Sequence, residues 1–144
     1  SIGYGKPVRL DGMDVYANWG GGSFSPNTAA RIGRLMLRRG NWDGRQIVSE
    51  KAVRAMVAHA GLPNHSGLCW WVNRAPGGGR VWPGAPPDAF WGAGAGHQFL
   101  LVVPSLDLIV VRNGNVLDRE AAFNDALEKY LVTPLLSAIT WAWK

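Results

Sequence analysis

Gly92, Gly94 and Gly96 alternate with Ala93 and Ala95 in FWGAGAGHQFLLVVPSLDLIVVRNG, residues 90 to 114, and His97 closes the glycine segment just before an apolar run. A stretch so poor in side chains leaves its backbone amides uncovered, and a ligand or another backbone can approach closely. Chemistry is expected at this segment. His97 adds a group that can carry a proton or touch a substrate, although a hydrogen-bonded structural histidine at a strand start is the plainer reading.

Other chemistries find less support. Ser105, His97 and Asp107 lie in or beside one tight hairpin, too close in sequence to converge as a triad. His59, His65 and Cys69 straddle a helix end and a loop, so no metal site is expected, and Cys69, the single cysteine, excludes an internal disulfide. Gly77-Gly78-Gly79 is followed by no Lys-Ser/Thr pair and is not a phosphate loop; no cofactor is expected. The net charge of +5 comes mostly from eleven arginines, but Arg31, Arg34, Arg38 and Arg39 fall where a helix needs a solvated face, and nucleic-acid binding is not expected. No apolar run approaches the roughly 20 residues of a membrane-spanning helix. Eight tryptophans leave a rival reading open, a stand-alone module holding glycan or peptide on exposed Trp42, Trp70, Trp82 and Trp91.

The elements that must position the glycine segment are legible around it. Ser25-Pro26 reads as an N-cap with a first-turn proline, and Gly40 as a stop, giving a helix over 26–39 with Ala29, Ile32, Leu35 and Met36 inward. Asn41 to Gly44 reads as a turn and Gln46 to Val48 as a short extended piece. Ser49 caps a second helix that ends before Gly61 and buries Ala52, Val53, Met56, Val57 and Ala60. Leu68 to Val72 reads as a strand, and the Gly/Pro-rich 74–88 as an irregular surface loop. The apolar runs 99–103 and 108–111 predict two adjacent antiparallel strands at the sheet centre, joined by Pro104-Ser105-Leu106-Asp107. A last helix begins at Asp118, buries Ala122, Phe123, Ala126, Leu127, Tyr130 and Leu131, and kinks or restarts at Pro134.

Three phrases, ANWGGGSFSPNTAARIGRLMLRRGNWDGRQIVSEKAVRAM, GLCWWVN and FWGAGAGHQFLLVVPSLDLIVVRNG, occur in an order that resembles the penicillin-recognising serine hydrolases, which include serine β-lactamases, D-alanyl-D-alanine peptidases and esterases. The resemblance implies an α/β fold of the α+β type, an antiparallel sheet flanked by helices, and acyl transfer on an ester, amide or peptide. It aligns Gly92-Ala93-Gly94 with the third active-site motif, whose cation and hydroxyl are missing here, and makes the Ala95 N–H an oxyanion-hole donor, with Trp91 beside the substrate. Tyr16-Ala17-Asn18 matches Tyr-x-Asn but abuts the glycine turn, where the family has a long insertion. No serine has lysine three positions later, so the family's Ser-x-x-Lys nucleophile is absent. The expectation is a single partial domain over 1–144, the C-terminal part of a β-lactamase-like catalytic domain. It would be inactive alone, associate with a missing N-terminal half or with itself, and belong to a periplasmic or secreted protein.

Overall fold

In a computed structural model of the chain, residues 2–3, 6–15, 23–61, 65–74 and 76–142 are described. Four short strands come first, β1 (Ile2–Gly3), β2 (Val8–Leu10), β3 (Met13–Val15) and β4 (Ser23–Phe24), with β1 on β4 and β2 on β3, both antiparallel. Then come helix α1 (Pro26–Leu37), hairpin strands β5 (Asn41–Trp42) and β6 (Arg45–Gln46), and helix α2 (Glu50–Val57). Strands β7 (Trp71–Val72), β8 (Phe90–Gly94), β9 (Gln98–Val103) and β10 (Leu108–Arg112) form one antiparallel sheet in the order β10-β9-β8-β7. The chain ends in α3 (Phe123–Leu127), a π turn (Glu128–Val132) and α4 (Thr133–Ala142). This is a mixed α+β architecture, and among the described residues no helix is long and apolar enough to cross a membrane.

Local signals set both early helices. The Ser25 hydroxyl accepts from the Thr28 N–H at 3.2 Å, and Ser49 accepts from Ala52 at 3.2 Å, each satisfying an orphan donor of the first turn. The buried stripe of α1 runs through Gly33 and Met36 rather than through Ile32, which is exposed. Gly33 is the point of closest approach to the sheet: a Cβ there would lie 2.9 Å from Ile109 Cγ2 and 3.0 Å from Leu100 Cδ1. The inward line is therefore shifted by the need to lay a side-chain-free position on the sheet.

The sheet separates two cores. On one face Met36, Val53, Val72, Phe90 and Val102 pack under α1 and α2. On the other, Trp91, Phe99, Leu101 and Val103 meet Trp82, Ala85, Ala89, Leu127, Val132 and Leu136 from the loop and the terminal helices. Adjacency of the two apolar strands holds, with Leu108 opposite Val103 and Arg112 opposite Phe99. Their shared central position does not: β9 is internal but β10 is the sheet edge. A continuous apolar run reports cover on two faces, which β10 receives from α1 and from the terminal core, and it carries no information about edges.

Two further expectations are corrected, and one holds. The strand placed at Leu68 to Val72 shrinks to β7, because Leu68 donates to the Met56 carbonyl and Cys69 takes φ 65, a turn conformation. The terminal helix starts at Phe123 rather than Asp118, whose carboxylate instead accepts from the Glu120 and Ala121 N–H groups; Tyr130 is exposed. At Pro134 the helix restarts, as expected, with α4 beginning at Thr133. Lacking an N–H, the proline is accommodated by the π turn before it, in which Thr133 N–H reaches the Glu128 carbonyl.

The loop over 74–88 is irregular, yet it is not confined to the surface. Trp82 and Ala85 lie in the core, and the wholly buried Asn73 side chain holds them there. Its amide donates to the Trp82, Ala85 and Pro86 carbonyls at 3.1, 3.2 and 3.1 Å, and its oxygen accepts the Trp82 N–H at 2.9 Å. Asn73→Leu, which keeps the volume and removes all of these bonds, is expected to lower the unfolding free energy by about 2–4 kcal/mol. A urea midpoint unchanged from the parent would refute the anchoring role. Acid provides a second measurement. The backbone N–H of Glu120, and then that of Ala121, hold the Asp118 carboxyl below its ordinary value. The resulting stabilisation is present above that ordinary value and lost as pH falls through the lowered one, so Asp118→Asn should flatten the acid limb of a pH-stability profile.

Candidate functional site: a cleft at the open edge of a strand

Strand β7 is only two residues long, and it pairs with Phe90 and Trp91 alone. Gly92, Ala93 and Gly94 therefore have ladder partners on the β9 side and, among the described residues, no strand paired on the other. Backbone alternation says which groups face out. The Asn73 N–H donates to the Ala89 carbonyl at 2.9 Å, so Ala89 points toward β7, and Trp91 and Ala93 follow with the same sense. Gly94 points its carbonyl toward β9, which turns the N–H of Ala95, on the same peptide unit, to the open edge. Ala93 and Ala95 are both exposed.

Packing does not require glycine at two of these positions. A Cβ at Gly92 would meet nothing nearer than Trp70 at 4.0 Å, and one at Gly94 would touch Gln98 at an ordinary 3.4 Å. Gly96 is different, with φ 75 in the three-residue connection to β9. The absence of side chains at 92 and 94 leaves open space along the strand instead of satisfying a contact.

Beside this edge lies a cleft of ≈ 510 Å³ lined by Trp71, Trp91, Phe123 and Asn124 together with Ala93, Gly94 and Ala95, a size usual for a small-molecule site. Trp91 forms its buried floor and Trp71, its cross-strand neighbour, is 40% exposed at the rim. Both deeper aromatic walls are braced from behind. Trp91 lies on Trp82 with ring centroids 4.2 Å apart, and Phe123 stacks on His97 at 4.7 Å and 13°.

Of the residues singled out in sequence, Trp91, Ala93, Gly94 and Ala95 come together at the cleft, with Gly92 on the strand between them. His97 sits behind Phe123, 5% exposed, at φ 59. Its Nδ1 accepts the Leu117 N–H at 3.2 Å, its Nε2 is buried with no partner among the described residues, and its carbonyl receives Arg112 Nη1 at 2.7 Å. It braces the wall of the cleft and does not line it. Trp71, Phe123 and Asn124 were not singled out as site residues; Phe123 carries the helical spacing of a core residue, and only the docking of α3 turns its ring toward the strand. Tyr16, Ala17 and Asn18 lie outside the described residues. Ser105 is held by Asp88, whose carboxylate accepts its N–H at 2.7 Å and pairs with its hydroxyl at 2.9 Å, far from any triad geometry with His97.

Trp42, Trp70, Trp82 and Trp91 do not form an exposed binding stripe. Trp82 and Trp91 are core residues, Trp70 is partly buried edge-on to Phe90 at 5.2 Å, and Trp42 is covered by the Arg34 guanidinium at 4.6 Å. The fold thus defines an antiparallel sheet between two helical layers, with a cleft at one strand's free edge. No family model matches the chain, and no curated protein matches it in sequence. Replacing His97 by Phe keeps a flat ring against Phe123 but strands the Leu117 N–H. This variant should lose about 1–3 kcal/mol of stability in urea denaturation, and an unaltered midpoint would deny His97 its bracing role.

Proposed function

We propose that this chain supplies one wall of an acyl-transfer site, in the manner of a β-lactamase-related serine hydrolase acting on an ester, amide or peptide. The observation that carries the reading is the outward-facing edge at Ala93 and Ala95 above an aromatic cleft. A substrate carbonyl lying along that edge as an added strand would meet the Ala95 N–H. Serine attack forms a bond from its oxygen to the carbonyl carbon and moves a pair of electrons onto the carbonyl oxygen; a donor fixed in place stabilises that charge. The serine proton passes by way of the lysine to the leaving oxygen or nitrogen, the carbonyl re-forms as that bond breaks and an alcohol or amine departs, and water then cleaves the acyl-enzyme.

The attacking serine and its lysine come from polypeptide outside these residues, since no Ser-x-x-Lys occurs among them. Two uncovered surfaces support association with such a segment or with a second copy. One is the free edge of β10. The other is the face of the β2–β3 hairpin on which Val8, Leu10, Met13 and Val15 stand together, at 67, 59, 64 and 44% exposure, with Arg9 opposite Asp14 on the reverse. A two-stranded hairpin with one apolar face needs cover to be stable.

Fluorophosphonate labelling tests the reading. The 144-residue chain alone should remain unlabelled, whereas a complex with a polypeptide bearing Ser-x-x-Lys should label on that serine. Ala95→Pro, which deletes the N–H, should slow labelling in the complex by roughly 10²–10³-fold. Stoichiometric labelling of the chain alone at one of its own serines, or an unchanged rate for Ala95→Pro, would overturn it.

A further inference from the structure

We infer that the cleft takes a neutral ester or amide carrying a flat aromatic group and gives no recognition to a substrate carboxylate. This deepens the acyl-transfer reading and rests on it for the reaction, while the binding preference follows from the walls themselves. Three of the surfaces are aromatic, Trp71, Trp91 and Phe123, and the rest of the lining is alanine, glycine and the amide of Asn124. None of these side chains titrates or carries charge.

The arginine beside the connection after Ala95 is already committed. Arg112, the cation closest to the connection after Ala95, gives Nη1 to the His97 carbonyl at 2.7 Å and to the Gly96 carbonyl at 3.4 Å, and Nη2 to the Asn115 carbonyl. His97 is turned away behind Phe123, and its Nδ1 accepts the Leu117 N–H. A carboxylate entering the cleft would give up water for apolar walls with no donor of opposite charge among the lining residues, which is unfavourable.

An aromatic ring meets the opposite case. Because Trp82 holds Trp91 and His97 holds Phe123, the walls are set before the ligand arrives, so little ordering cost is added on binding. The two rings offer offset or edge-to-face contact to a third, and Trp71 at the rim is sufficiently exposed to close over it. Asn124 supplies one neutral donor and acceptor for the polar part of the ligand.

The test is equilibrium binding to the chain by chemical-shift perturbation, with N-benzylacetamide as the neutral aromatic probe, hippurate as its carboxylate-bearing counterpart and N-(cyclohexylmethyl)acetamide as the aliphatic one. N-benzylacetamide should perturb Ala93, Ala95 and Phe123, with hippurate and the cyclohexyl probe each at least about tenfold and threefold weaker respectively. Trp71→Ala should reduce binding of the neutral probe several-fold, and Ala93→Leu, a change at an exposed position that fills the cleft, should abolish it. Failure of the neutral probe to bind, hippurate binding as tightly, or indifference to both substitutions overturns the inference. Aromatic preference without serine labelling in the complex would instead overturn the acyl-transfer reading and leave this one standing, and labelling without the preference would do the reverse.

Discussion

Burial of β9 on both faces is the constraint from which the rest of the arrangement follows. Phe99, Leu101 and Val103 point to one side and Leu100 and Val102 to the other, so five of the six residues of β9, all but Gln98, carry apolar side chains to be kept from water. One layer comes from chain before the sheet, and the other from the connection between β7 and β8 together with chain after the sheet. Helices α1 and α2 provide the first, and the loop around Trp82 with the terminal helices provides the second. At roughly 25 cal/mol per Å² of apolar surface removed from water, this two-sided cover dominates whatever the surface ion pairs contribute. The cleft occurs where the cover ends, one residue past the last pairing of β7.

What was legible in the sequence is what local chemistry decides. Ser25-Pro26 and Ser49 specify helix starts within their own first turns, and Asn41 to Gly44 and Pro104 to Asp107 specify reversals through residues suited to left-handed or fixed φ, as Asp43, Gly44 and Asp107 show. What was not legible depends on partners distant in sequence. Trp82 belongs to a segment whose glycines and prolines announce a loop, and nothing in its neighbourhood reveals that Asn73 will fold that loop under the sheet. The edge position of β10 is likewise a matter of which strands exist elsewhere, not of Leu108 to Arg112 themselves.

The site divides along the same line. The glycine segment stood out because the absence of side chains is itself a sequence signal, and Ala93, Gly94 and Ala95 do border the cleft. The aromatic half of the lining left no such mark. Trp71 reaches it through cross-strand pairing with Trp91, and Phe123 through the docking of a helix more than twenty residues downstream. His97 gave a correct hint of importance at that end of the strand for a different physical reason, the support of a neighbouring ring.

The contact between Trp82 and Trp91, with ring planes inclined at 33°, also gives the molecule an optical property of its own. Two indoles this close couple their electronic transitions, and the coupled pair produces a bisignate band in ultraviolet circular dichroism that neither produces alone. One indole comes from the irregular loop and the other from the strand that floors the cleft, so the band exists only while the loop is seated. The protein thus carries an intrinsic chromophore for the docking of one particular segment, readable without a label and separable from the helical signal of the remainder.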